Sequence, residues 1–271
     1  MARALSSAAA PATAEARASL GARALRAVAI PTLSLLVFVA LWQALAWLAD
    51  SPRLMPSAVS VLGRLQSEIA SGALFFHLSR TLERVALSFV IAMLVGIAIG
   101  FVLGRSRAAD SFGGPWLVFF LNLPALVTIV LCYIWIGLVE TAAVLAVALN
   151  KIPNVAVTVR EGARALDPAL AEMARVFRVS WSRQFRHIVL PQLLPYIAAA
   201  ARSGLALIWK IVLVVELLGR PNGVGFQIGL FFEFFDVAGI LAYALAFIAV
   251  VQAIEWGLLR PAERRINQWR R

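Results

Sequence analysis

Apolar residues run through this chain in long stretches, and the charged residues collect between them. A helix that crosses a bilayer needs about 20 predominantly apolar residues. Residues 28–48, 85–104, 115–136, 193–218 and 237–259 meet that length. Residues 141–159 form a sixth and less apolar run, interrupted by Asn150, Lys151 and Pro153. In the second run Gly96, Gly100 and Gly104 recur every four positions, which places them on one helical face and permits close approach of another helix.

The intervening segments have patterns of their own. Residues 1–27 are rich in Ala, Ser and Arg and lack helical apolar spacing outside Leu20–Leu25, so a flexible cytoplasmic tail is expected. A cleaved signal with Ala44-Leu45-Ala46 as its site is the competing reading. An apolar core of that kind spans about 7–15 residues, and the run at 28–48 is longer, which favours an uncleaved first span. Between the first two runs, Leu62, Leu65, Ile69, Leu74, Leu78, Leu82 and Val85 have roughly helical spacing. Short amphipathic helices are expected there, with a solvated connector as the alternative.

Residues 160–191 form the longest interval on their side of the membrane. Asp167-Pro168 has the form of an N-cap followed by Pro in the first turn. Leu170, Met173, Ala174 and Phe177 then share a face, and Trp181, Phe185, Ile188 and Val189 continue an apolar stripe. Pro191 and Pro195 are expected to break the chain where the fifth span begins. The pattern predicts a short helix pair beside the membrane; an interfacial anchor, or a loop packed only on its own protein, fits the same spacing. A basic tail, 260–271, closes the chain.

Composition agrees with the pattern. The chain is 62% hydrophobic and 14% charged, with a mean hydropathy of +0.86, whereas soluble domains have about 25% charged and 45–50% apolar residues. An all-α integral membrane protein with six transmembrane helices follows. The net charge of +11 does not indicate nucleic acid, because the arginines are split among the intervals instead of forming one stripe. They read as topology signals. With the N-terminus inside, seventeen Lys and Arg fall in inner segments and five in outer ones. Both termini are therefore expected to be cytoplasmic.

Catalytic chemistry finds little support. The single Cys132 makes no intramolecular disulfide and no metal site. His77 and His187 fall on opposite sides of this topology, and no HExxH, GxSxG or acidic metal cluster occurs. A Walker A loop is also absent, so the chain has no phosphate cradle of its own.

The 160–191 interval resembles the EAA loop of permeases in binding-protein-dependent ABC importers: E-A-A, three residues, G, nine residues, I-x-L-P. Glu172, Met173 and Ala174 occupy the triplet, and Ile188, Val189, Leu190 and Pro191 close the motif at the same spacing. Trp181 and Phe185 fall where aromatics are common. Arg178 stands in the place of the usual glycine. Glycine adopts a turn with positive φ at no steric cost, so Arg178 leaves the local shape open. The resemblance covers roughly residues 52–264. The stretch 54–65 is similar to the LPSP-type segment of nitrate, sulfonate and taurine permeases, and 123–142 to their LP…P…WFG…E region. In the fifth span Arg202, Gly204, Trp209 and Glu216 follow the family's Arg, Trp, Glu spacing, and 222–226 resembles its SGIGY.

That resemblance implies a type I importer permease of the bacterial inner membrane, working as a homodimer with a second permease copy. Two ABC ATPase subunits holding ATP and Mg would drive it, and an extracytoplasmic solute-binding protein would feed it. Glu172, Met173, Ala174, Arg178, Trp181, Phe185, Ile188, Leu190 and Pro191 would couple to the ATPase. Glu172 would pair with a basic group there, and Ala174 would allow close approach. Gly223 and Gly225 would belong to an outer-loop gate.

Charges within spans usually face the bundle interior or a cavity, at about 2.5–3.5 kcal/mol each on insertion scales. Glu140, Lys151, Arg202, Lys210 and Glu216, with Trp209, are the candidate pathway residues, whereas Glu255 near the end of the last span is expected at headgroups. A positive lining from Lys151, Lys210 and Arg202 suits a small anion, which agrees with the sulfonate, nitrate, taurine or organic-acid-like solute that the resemblance implies. A structural ion pair of Lys210 with Glu140 or Glu216 is the alternative. Lys210 and Glu216 themselves are six residues apart and on different faces of one helix. A secondary transporter working without ATPases is the rival function, although the internal repeats common in such folds are not evident.

Overall fold

The glycines of the second apolar run set the centre of the structure, a computed structural model that describes residues 14–261. They lie on α3 (Ala73–Arg105) and face α6 (Glu140–Arg164). A Cβ added at Gly96 would lie 2.6 Å from Cβ of Val155, and one at Gly104 would lie 2.5 Å from Cβ of Ala163. At Gly100 it would overlap the carbonyl oxygen of Ala156. The backbones approach as closely as they do only because these side chains are missing.

The other side of α6 packs on α9 (Leu190–Gly219). Of the apolar window of α6, 61% is buried, against 33% for α3 and 28% for the last span, so α6 is the central helix. Its buried face is built largely of Ala142, Ala143, Ala146, Ala148, Ala156 and Ala163. Lipid tails are as apolar as the helices, so close packing of small residues holds such a bundle more than hydrophobicity does.

The chain divides into two units, residues 1–60 and 61–271. The first holds α1 (Ala14–Ala49), whose Trp42 Nε1 donates to the Pro56 carbonyl at 3.1 Å. In the same unit the Ala58 N–H donates to Gln43 Oε1 at 3.2 Å, at the start of α2 (Ala58–Ala70). In the second unit, α2 is tied by Arg64 to Asp236 at 3.3 Å, and its Glu68 accepts from the Tyr243 hydroxyl at 3.1 Å.

Five helices among the described residues are long and apolar enough to cross a membrane, and six if a bent pair is counted as one span. That pair corrects the single span expected at 115–136. It consists of α4 (Arg107–Asn122) and α5 (Ala125–Ile136), which meet at 97°. Pro124 forces the break: the residue before a proline is pushed out of the helical region, and Leu123 is extended at φ −71° and ψ 122°.

Other boundaries also moved. α1 starts at Ala14, inside the stretch 1–27 expected to be flexible, because Ala, Leu and Arg favour helix without any apolar periodicity. Residues 1–13 of that stretch, and 262–271 of the basic tail, lie outside the described residues. The expected helices before the second span are α2 and the first turns of α3, which run without interruption into the span.

Beyond α6 come α7 (Pro168–Val176) and α8 (Trp181–Gln184). Pro191 and Pro195 do not break the chain, contrary to expectation. Helix runs from Trp181 to Gly219, passing through a wider π-turn at Phe185–Val189 directly upstream of Pro191. The expanded turn accommodates a residue that can neither donate to the ladder nor approach the carbonyl four residues back. α10 (Val224–Glu233) and α11 (Val237–Ile254) follow, and a second π-turn spans Glu255–Leu259.

Candidate functional site

Two polar assemblies mark the ends of the second unit, with lysines between them. At the end opposite the arginine-rich loops, Arg84 of α3 is only 1% exposed. Its Nη1 donates to Glu216 Oε1 at 2.7 Å and to the Asn222 carbonyl at 2.8 Å. Nε and Nη2 donate to the two carboxylate oxygens of Glu140 at 2.5 and 3.1 Å, and Nη2 also bonds Asn222 Oδ1. Arg220 reaches the same Glu140 at 2.8 Å and the Leu138 carbonyl at 2.7 Å. Two guanidiniums thus face two carboxylates, so the buried group is neutral in sum. Neutrality with nearly all hydrogen bonds filled is the condition under which burial of charge is tolerated; in this group Arg220 Nε is the buried atom left without a partner among the described residues.

The same helix face holds the loop after α9. Thr81 Oγ1 donates to Glu216 at 2.9 Å and accepts from the Val224 N–H at 2.8 Å. His77 Nδ1 accepts from the Gly223 N–H at 3.1 Å, and Glu216 Oε2 accepts from the Gly225 N–H at 2.8 Å. Gly223 has φ 113°, where any side chain would be strained and its Cβ would overlap the Glu216 carboxylate. Gly223 and Gly225, singled out in the sequence, therefore sit on the ion-paired core.

Glu140 and Glu216 are brought together, but by arginine: neither takes Lys210 as its counter-ion. Arg84 is not among the residues that the sequence pattern singles out, because it stands one residue before the apolar run at 85–104 and reads as an outer-loop charge. The signal was present in His77, Thr81 and Arg84, which follow helical spacing within the apolar pattern of Leu74, Leu78 and Val85.

The two lysines occupy different places. Lys151 of α6 is 2% exposed, its Nζ has no hydrogen-bond partner among the described residues, and its methylenes cover Gly204 of α9. A Cβ at Gly204 would stand 2.9 Å from Lys151 Cε. Lys210 is exposed, in a groove of about 420 Å³ between α9 and α11. Trp209 and Phe247 wall that groove edge to face at 5.8 Å between centroids. Arg202 lies in it too, 3.6 Å from Glu255, so Glu255 has an arginine partner.

At the arginine-rich end, Asp167 caps α7 by accepting from the Ala169 N–H at 2.8 Å, and its own N–H donates to Gln192 Oε1 at 2.9 Å. α7 closes with the Val179 N–H on the Ala174 carbonyl at 2.9 Å and the Arg178 N–H on the Arg175 carbonyl at 3.0 Å. This is a Schellman closure, whose C′ position is normally glycine. Arg178 occupies it at φ 49°. The positive-φ turn is therefore kept despite the substitution.

Ala174 is buried beneath the turn, whereas Glu172, Met173, Val176, Phe177 and Trp181 are exposed. Phe185 packs edge to face on Phe101 at 5.9 Å, which fixes the hairpin on α3. Ile188 and Glu172 line a pocket of about 150 Å³, while Leu190 and Pro191 begin α9. The loop residues expected to act together are thus spread over α7, α8, the π-turn and the first turn of α9, with Met173, Val176, Phe177 and Trp181 forming an exposed apolar face.

The sequence signature described as "Binding-protein-dependent transport system inner membrane component" matches residues 92–256. The chain is 31% identical over 235 residues to the putative aliphatic sulfonates transport permease protein SsuC of Bacillus subtilis, covering 86% of this chain and 85% of that one. It is 28% identical to the taurine transport system permease protein TauC of Escherichia coli, covering 90% of each. The bicarbonate transport system permease protein CmpB of Synechococcus elongatus is 28% identical over 57% of this chain and 56% of its own. In fold, the chain is similar to an inward-facing structure of the MetNI methionine ABC transporter, with a TM-score of 0.61, 18% identity and coverage of 73% of this chain and 98% of that one.

Proposed function

The chain belongs to the family of binding-protein-dependent transport inner membrane components, and from that premise we propose how its parts work as the permease of an ATP-driven importer. The solute is a small molecule carrying an anionic group, of the sulfonate, taurine or bicarbonate kind, delivered by an external binding protein. The observation that carries the reading is the α7–α8 hairpin. It combines a rigid glycine-type closure at Arg178, a buried Ala174 and an exposed face of Met173, Val176, Phe177 and Trp181.

Four large apolar side chains exposed side by side on this hairpin form the interaction site, and its attachment to α9 makes it a lever. ATP and Mg bind in two separate ATPase subunits, and this chain performs no hydrolysis. When those subunits close, the hairpin is displaced, and α9 and α6 move with it. The membrane domain is thereby biased between inward-open and outward-open states, a two-state element driven by differential binding. Both termini lie on the side of the arginine-rich loops, which is the cytoplasmic side.

The pathway runs between two copies of the chain. Lys210, Arg202 and Trp209 line its wall, and Lys151 enters it when α6 and α9 part. The Arg84–Glu216 core, with Glu140, holds Gly223 and Gly225 at the outer gate. The test is purification with the ATPase subunits and reconstitution in proteoliposomes. Hydrolysis stimulated by loaded binding protein, with uptake that requires ATP, supports the reading. Uptake without ATP or ATPase subunits contradicts it.

A further inference from the structure

At the arginine-rich end a pocket of about 460 Å³ lies between the last turn of α3, the first turn of α4 and the last turn of α6. Arg105, Arg107, Asp110 and Arg164 line it. Asp110 is engaged by both Arg160 and Arg164, and Glu161 pairs with the same two arginines at 3.1 and 3.2 Å. Those two carboxylates balance those two guanidiniums. Arg105 and Arg107 have no carboxylate in ion-pair range among the described residues and are both exposed. The pocket therefore carries an excess of two positive charges.

We propose that this pocket binds the phosphate headgroup of an anionic phospholipid from the surrounding bilayer, with Arg105 and Arg107 as its ligands. Guanidinium matches phosphate oxygens in a paired, charge-assisted geometry. A basic pocket between spans at the cytoplasmic surface is where anionic headgroups collect. The surface leading away from the charges favours lipid over a soluble anion or an acidic protein. Phe112, Trp116 and Phe119 of α4 are 78%, 56% and 56% exposed and recur at helical spacing on one face. Acyl chains can lie along that face while the headgroup sits on the arginines, and Trp is at home at the headgroup level. The site closes over the end of the α3–α6 seam, where Gly104 meets Ala163. A bound lipid would fasten three helices at the point where the hairpin joins the bundle.

The experiment uses the whole complex with its ATPase subunits, stripped by detergent and then titrated with phosphatidylglycerol under native mass spectrometry. The wild type is expected to keep or rebind phosphatidylglycerol, and Arg105→Gln/Arg107→Gln to bind it about thirtyfold more weakly. Thermal stability of the wild type provides a readout free of folding defects in the variant. Phosphatidylglycerol should raise its Tm, and phosphatidylcholine or inorganic phosphate should not. Equal lipid binding by the variant overturns the proposal. So does stabilisation by inorganic phosphate equal to that by the lipid, which would mean a site for a soluble anion. Loss of the ATPase from the variant with lipid retention intact would assign the arginines to the motor and overturn it too.

Discussion

Arg84 and Glu216 stand 132 residues apart in the chain and meet at 2.7 Å inside the bundle, both almost fully buried. Their contact joins α3 to α9 and, through Asn222 and Gly225, fixes the loop that follows. Breaking such a pair from one side leaves an uncompensated buried charge. Arg84→Met or Glu216→Met alone is expected to cost about 3–5 kcal/mol, read as a drop in Tm of the purified complex. The double replacement Arg84→Met/Glu216→Met should recover part of that loss. A double variant as unstable as the sum of the singles would show that the two side chains do not act as a pair.

The α3–α6 seam makes a second prediction. Gly100→Ala places a methyl against the Ala156 carbonyl, where only a backbone shift can make room. A destabilisation of about 1–3 kcal/mol is expected. Gly63→Ala in α2 meets nothing within 4 Å and should gain about 0.5–1 kcal/mol from helix propensity. Thermal melts of the two proteins, side by side, check both signs.

Arg178 carries conformational strain that glycine would relieve. Arg178→Gly should raise stability by about 1 kcal/mol and leave coupled ATP hydrolysis unchanged, since the closure at Ala174 and Arg175 uses backbone atoms alone. Hydrolysis lost in a stabilised variant would mean that the guanidinium itself contacts the motor.

The lysines can be tested separately because they lie apart. Lys210→Ala removes an exposed charge from the groove, and Lys151→Met removes a buried one while roughly keeping its volume. Each is expected to lower uptake of the anion about tenfold or more, since a hydrogen bond to a charged group contributes about 1.5–3 kcal/mol. The amount of assembled complex should not change. Normal uptake by both variants would remove the positive lining.

Much of this architecture is visible in the residue pattern, and the exceptions have physical causes. The spans facing lipid announced themselves by hydropathy. α6 looked the weakest because a helix buried on most sides is selected for small residues and can carry Lys151 and Asn150. The bend at Pro124 was hidden inside a continuous apolar run. Pro191 and Pro195 have the pattern of breakers, yet a π-turn lets the helix continue past them. The hairpin was legible as a motif, but the turn at Arg178 was not, because backbone contacts can hold a residue in a conformation its own preference opposes. The ionic core was the least legible: Arg84 finds Glu140 and Glu216 only once three distant helices are packed.

The account stands or falls on the hairpin as the place where the motor's force enters. Cysteines at Glu172, Met173 or Phe177, all exposed, should be crosslinked to the co-expressed ATPase by a short bifunctional reagent, with Cys132 replaced by Ser. Covalent permease–ATPase adducts at these positions, with yields that change between nucleotide-free and ATP-bound complex, are the predicted result. Absence of any adduct, or labelling of the same cysteines by a membrane-impermeant thiol reagent added outside intact cells, would contradict it.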